Sequence, residues 1–390
     1  MLAGVAVLAA GFLAQLLVYG HGGRTSLSDL PHVFLSRGVG PSRLPYIDRV
    51  VEYPVGGGML LWVATLVRNS PLGVLTVTGT AAAGLALFVG VTLRRHFGPR
   101  AWRWMVGPPI ALFAFQNWDV FAIAAMVGGL IAYRRSRPAL SGFLLGLGAV
   151  IKLFPAVLIP VLVADRIRAG DRRGAVLVGG TGVATVLVGN APFALANPSG
   201  WWWTMQFQGR RRATWGSLWP YLHRWIGLPV ASASAANVAS MVVLVGGLAT
   251  VVLLTARGRL DWLGASAAAM VLFVLANKVY SPTYDLWLVA FFVMVPVSRR
   301  VWTAFWLVDL MVFATVYGYF HGQVGRAVVV AALPVLVLVR AAVLLRLVAV
   351  AARGRRVTGV DIDVVGMPST STGPDAAPTR RAPVASVSVL

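Results

Sequence analysis

Cysteine is absent from all 390 residues, which excludes disulfides, thiolate nucleophiles, thioether-linked haem and cysteine-ligated metal. Lysine is nearly absent: Lys152 and Lys278 are the only two, and both interrupt otherwise apolar runs. Glutamate occurs once, at Glu52, and only 12 residues are acidic. Charged residues make up 12% of the chain against 58% hydrophobic ones, a balance that excludes an ordinary soluble globule. The phosphate-cradling G-x-x-x-x-G-K-[ST] loop and the metalloprotease H-E-x-x-H pattern are missing as well, so a group transfer here needs a donor reachable from the membrane.

Apolar sequence fills that space. Hydrophobic runs recur almost from end to end, many near the 20 or so residues that span a bilayer. The class is an all-α polytopic membrane protein. The first run, Leu2 to Tyr19, lacks a basic start and an A-x-A-like cleavage site and reads as a retained helix. The net charge of +22 is the kind of excess that attracts nucleic acid. Its arginines, however, gather at the ends of apolar runs, around 94–103, 134–137, 166–173, 257–259, 299–300 and 353–356. That placement is the positive-inside pattern, so the partner is a lipid bilayer and not nucleic acid.

Three apolar stretches lie between successive arginine clusters, each broken in the middle. The breaks are Gln116-Asn117-Trp118-Asp119, Lys152-Leu153-Phe154-Pro155, and Asn277 through Asp285. If both flanks face the cytoplasm, each stretch enters the membrane and returns. Each arm then has roughly 12–15 residues, or roughly 18–23 Å of helix against a core of about 30 Å. Such turns sit near the outer face, where broken backbone is tolerated only if protein buries it or it lines a cavity. Both lysines lie on these turns. A charge inside a hydrophobic run costs about 2.5–3.5 kcal/mol at mid-membrane and reads as functional by default. With the remaining runs, and with Val55–Val67 as a short juxtamembrane helix, the count is about twelve helices with both termini cytoplasmic. Residues 1–352 form the membrane domain, and 353–390, rich in Ser, Thr, Pro and Gly, a disordered tail.

Two outer segments carry chemistry. The first holds Asp29, Asp48 and Glu52, three of the twelve acids. A carboxylate beside an apolar surface is a candidate general base because partial desolvation raises its pKa. The bland alternatives are a helix cap at Asp29 and a pair between Asp48 and Arg49 or Arg43. The second outer segment, NPSGWWWTMQFQGRRRATWGSLWPYLHRW, sets Arg210, Arg211 and Arg212 among six tryptophans. Guanidinium matches phosphate, and tryptophan sits at the headgroup level; an ordinary interfacial anchor explains the same residues. Asn117 and Asp119 either bind a hydroxylated substrate or cap the second arm of their hairpin. Lys152, Lys278, Arg210, Arg211 and Tyr280 are candidates to bind a donor phosphate, and Asn117, Asp119, Trp215 and His321 to bind sugar or acceptor. Snorkelling of Lys152, backbone satisfaction by Tyr280, and capping by His321 are the structural alternatives.

Taken in order, the loop closing with EYP, the NWD break, GLGAVIKLFP, QGRRRATWGSLW and NKVYSPTYDLW together resemble glycosyltransferase family 87. The resemblance runs from about Ser26 to Trp287 and implies a membrane enzyme of the C superfamily in a bacterial plasma membrane. It further implies a polyprenyl-phosphate sugar, mannose in several members, as donor, and a glycolipid or glycan acceptor. Transfer would invert at the anomeric carbon with a first-loop aspartate as base, at the position of Asp29, with Asp48 the fallback and Glu52 the third carboxylate. No metal or other cofactor is implied. Members often have a double proline after the tyrosine, where this chain has Tyr53-Pro54-Val55. A lipid or solute transporter using the same polar hairpins is the competing class.

Overall fold

A computed structural model describes residues 2–20 and 28–357. Ser26 and the tail beyond 357 lie outside the described residues. Everything described is helix, turn or loop, with two isolated bridges, Gly40 with Arg43 and Pro45 with Arg49, as the only β pairing among the described residues. Among the described residues, six helices are long and apolar enough to cross a membrane: α1 (Leu2–Gly20), α4 (Pro71–Phe97, running on to Val106), α10 (Arg172–Ala196), α13 (Ala233–Ala256), α16 (Arg299–Phe320) and α17 (Arg326–Val357). By length and composition this is a membrane protein. Short polar side chains set the helix starts: Ser70 accepts from Gly73 N at 3.0 Å, Asp171 from Gly174 N at 2.7 Å and Asp261 from Gly264 N at 2.6 Å, each satisfying an amide the helix leaves unpaired.

The other helices are short. α2 (Asp29–Arg37), α3 (Val55–Val67), α11 (Pro198–Arg210) and α12 (Trp219–Ile226) belong to the outer segments, with α5 (Trp102–Val106) following α4. Three hairpins are present: α6 (Pro108–Phe113) with α7 (Asp119–Arg134), α8 (Pro138–Ile151) with α9 (Leu158–Arg168), and α14 (Trp262–Ala276) with α15 (Asp285–Met294). α7, α14 and α15 are buried along nearly their whole length, whereas most of α13 and α10 is left outside the protein's interior. Arms too short to cross lipid are thus surrounded by helices that can, which keeps their broken turns away from hydrocarbon. Arg103 closes the far end of α15, donating to the carbonyls of Phe292 and Val297 at 2.7 and 2.9 Å.

One boundary moves relative to the sequence reading, at the end of α17. α10 runs through Pro192 to Ala196, directly before the second outer segment, where Asn197 and Pro198 open α11. α17 continues past 352 to Val357. α3 is a 13-residue helix, short as expected.

Candidate active site

The three hairpin turns converge. Asn117, Lys152, and Asn277, Lys278, Val279, Ser281 and Thr283 of the third turn line one cavity of about 560 Å³, together with Asp29, Glu52, Tyr53 and Arg211. Its apolar side comes from Leu153, Met205, Met241, Leu244 and Phe273.

Asp29 arrives by helix α2. Ser28 caps that helix, accepting from Leu30 N at 3.3 Å, and its hydroxyl contacts the carbonyls of Phe115 and Gln116 at 3.0 and 3.1 Å. The Asp29 amide donates to Gln116 O at 2.8 Å. The first outer helix is therefore tied by its N-terminus to the first hairpin turn. Gly38, with φ of 60°, ends α2 in the left-handed region that glycine adopts without penalty. The Asp29 side chain is accessible from the cavity, yet protein encloses it, and burial pushes its carboxyl above the usual range. The Tyr53 hydroxyl, donating at 2.8 Å, and then the Lys152 charge oppose that rise. Burial, and after it the charge of Asp29, holds the Tyr53 phenol far above its ordinary range, so this hydroxyl stays a donor.

Lys152 sits where α8 stops. Its ammonium pairs with Asp119 Oδ1 at 2.9 Å and lies 4.9 Å from the centre of the Tyr53 ring. The same ring packs edge-on against Trp118 at 4.7 Å. Asp119 itself is completely buried and reaches the cavity only through Lys152. Asn117 lines the cavity and also accepts from the Asp119 amide at 2.9 Å, so its side chain holds the turn before α7.

Lys278 holds the second outer segment down. It donates to Gly209 O at 3.0 Å and to Arg211 O, while Thr214 N donates to Lys278 O at 2.9 Å. The outer segments also grip each other. Gln208 donates to Glu52 O at 2.8 Å, and Thr204 to Val51 O at 2.7 Å. Glu52 pairs with Arg37 at 2.6 Å, and the Arg37 guanidinium lies 4.9 Å from the Trp203 ring. These contacts bring Arg211 to the cavity.

Besides Asp119, five expected residues lie outside it. Asp48 accepts from Leu44 N at 2.7 Å and closes its own loop, in place of the arginine pair considered for it. Arg210 is exposed and joins Arg211, Trp203 and Phe207 at a separate small depression. Trp215 packs against Tyr319 at 5.3 Å, and His321 is exposed at the end of α16. Tyr280 turns away from the cavity, donating to Asp285 under the guanidinium of Arg340, which lies 3.6 Å from its ring centre. Conversely, Tyr53, Thr204 and Gln208 were not legible as site residues. Tyr53 sits in the EYP signal, but no spacing rule links it to Asp29. No cluster of three metal-ligating side chains is present among the described residues.

The model of glycosyltransferase family 87 matches residues 52–282. That is more than half of the chain and takes in the first two hairpin turns and the third as far as Pro282, while Asp29 and Asp48 precede it. No curated protein matches the chain.

Proposed function

Because the chain belongs to glycosyltransferase family 87, a family of membrane glycosyltransferases, we propose that it moves a sugar, mannose, from a polyprenyl-phosphate donor to a glycolipid or cell-envelope glycan. The six long helices and six hairpin arms then make twelve membrane-embedded segments of the C-superfamily kind. They sit in a bacterial plasma membrane with both termini cytoplasmic and the cavity at the outer face. The observation that carries the reading is the meeting, in one cavity, of the Asp29 carboxylate with separate cations and an apolar side wall.

In this reaction Asp29 takes the proton of an acceptor hydroxyl. The freed oxygen forms a bond to the anomeric carbon from one face. The bond from that carbon to the phosphate oxygen breaks on the other, and the configuration inverts. The electron pair leaves with polyprenyl phosphate, whose developing charge meets Arg211, Lys152 and Lys278. Lys152 and Lys278 are already engaged, by Asp119 and by two carbonyls respectively. They therefore supply a fixed positive field without having to swing into place. Arg211 makes one 3.3 Å bond to Gln208 and keeps donors for a phosphate.

Asp29→Asn tests the reading. It is nearly isosteric, so the variant inserts normally and still binds radiolabelled polyprenyl-phosphate mannose, while transfer falls by roughly 10²–10⁴-fold. Full transfer in the variant overturns Asp29 as base. Mass spectrometry of lipids from a deletion strain identifies the acceptor, and an unchanged glycolipid profile counts against the transferase reading.

A further inference from the structure

At the opposite end of the hairpins from the cavity, α4, α7 and α8 leave a second opening. α7 alone is 16 residues long, about 24 Å of helix, so the two openings are at different levels of the membrane. The second is a cleft of about 270 Å³. Arg95 and His96 line it from the last turn of α4, and Arg135 and Arg137 from the turn between α7 and α8. Val89 and Val127 belong to its apolar wall.

The turn is unusually tight. Ser136 takes a φ of 53°, rare for a residue with a side chain. Ser136 N donates to Tyr133 O at 3.0 Å and Arg137 N to Ala132 O at 2.9 Å. Arg134 fixes the other edge, donating to His96 O at 3.0 Å with its charge 5.3 Å from the Phe97 ring centre. The cleft is therefore held open by bonds that do not use the side chains of its own arginines. Among the described residues, the side chains of Arg95, Arg135 and Arg137 have neither an ion pair nor a hydrogen bond, and no carboxylate lines the cleft.

We propose that this cleft is a binding site for an anionic glycerophospholipid, with the phosphodiester on Arg95, Arg135 and Arg137 and an acyl chain along the apolar wall. Three like charges brought together without a counter-charge are stabilised by an anion, and guanidinium forks match phosphate oxygens. The lining reaches from Phe88 to His96 on α4, eight residues on, or about 12 Å along the helix. A free anion would meet only the charged end. A lipid uses both ends, and basic pockets between membrane helices are a recurrent way of holding such headgroups. The site is separate from the substrate cavity and does not depend on the proposed reaction.

The test uses the full chain, purified from bilayers of phosphatidylcholine with a minor share of phosphatidylglycerol, and native mass spectrometry to count retained lipid. One phosphatidylglycerol is expected to stay bound in preference to phosphatidylcholine. In R95Q/R135Q/R137Q its retention should fall by roughly 10²-fold, at about fivefold per arginine. The control R257Q/R259Q alters another arginine cluster and should retain it. Ala124→Phe, which fills the lining beside Val127 and leaves every arginine in place, should also release it. Equal loss in the control, or full retention in the triple variant, overturns the proposal. Displacement by millimolar inorganic phosphate, with Ala124→Phe unaffected, would make this a site for free anions and overturns the lipid.

Discussion

Two buried ion pairs of this protein are built from the same parts and closed in different ways. In each, an aspartate opens the returning arm of a hairpin: Asp119 begins α7 and Asp285 begins α15. In each, a cation from another element pairs with it, Lys152 at 2.9 Å and Arg340 at 3.1 Å. In each, that cation lies against a tyrosine ring, Tyr53 or Tyr280. The difference is where the tyrosine hydroxyl goes. Tyr280 donates back to Asp285, and Arg340 spends its remaining fork on Gly216 O at 2.6 Å. That circuit is closed, with side-chain exposures of 1% and 0%. Tyr53 donates instead to a third group, Asp29, and Lys152 keeps 11% of its side chain open to the cavity. The closed circuit fastens the third hairpin to the second outer segment. The open chain couples a buried charge to the carboxylate proposed to do the chemistry.

The sharpest way to break this contrast is to remove the closed pair's cation. Arg340→Met strands Asp285 with Asp309 buried nearby, and losing one partner of a buried pair typically costs about 3–5 kcal/mol. The expected result is a large drop in folded yield and thermal midpoint. Arg340→Met with Asp285→Asn should recover most of both and restore transfer. A double variant that folds but stays inactive would show that the closed circuit has a chemical role after all.

Lys152 should answer differently. Lys152→Met strands Asp119, so stability falls, and adding Asp119→Asn should restore folding. Transfer should remain down by roughly 10²-fold, the usual consequence of losing one electrostatic stabiliser. Recovery of turnover in that folded double variant would reduce the open pair to packing.

A smaller effect tests the link itself. Asp29 must be ionised to act as base, so transfer rises with pH through its pKa, which burial places above the usual carboxylate range. Tyr53→Phe removes a hydrogen bond that favours the ionised form. The rising limb of kcat/KM against pH should therefore move to higher pH, with transfer lost first at the acid end. An unmoved limb with a uniformly lower rate would mean that Tyr53 only packs. The smallest effect is expected at Asp48→Asn. Its bond to Leu44 N is exposed, so about 0.5–1.5 kcal/mol of loop stability is at stake and transfer should stay near normal.

Hydrophobic runs, arginine spacing and the three interrupted stretches were enough to read a membrane protein, its hairpins and the convergence of Asn117, Lys152 and Asn277. Those features are local or periodic, and the bilayer imposes its length scale on any chain that enters it. The family was legible for the same reason, since its signals lie on the hairpin turns and the segments between them. Which carboxylate faces the cavity was not. Asp29, Asp48 and Glu52 share one outer segment, and only packing sends Asp29 to Tyr53, Asp48 to Leu44 and Glu52 to Arg37. Tyr280 and Lys152 each lie on a hairpin turn, yet Arg340, 60 residues beyond the first, draws Tyr280 out of the site. Ion pairs of this kind join residues far apart in the chain, and their geometry depends on how whole helices pack. Sequence therefore determined the material and the segments of this protein, and tertiary structure alone decided which charges were sealed and which were left to meet a substrate.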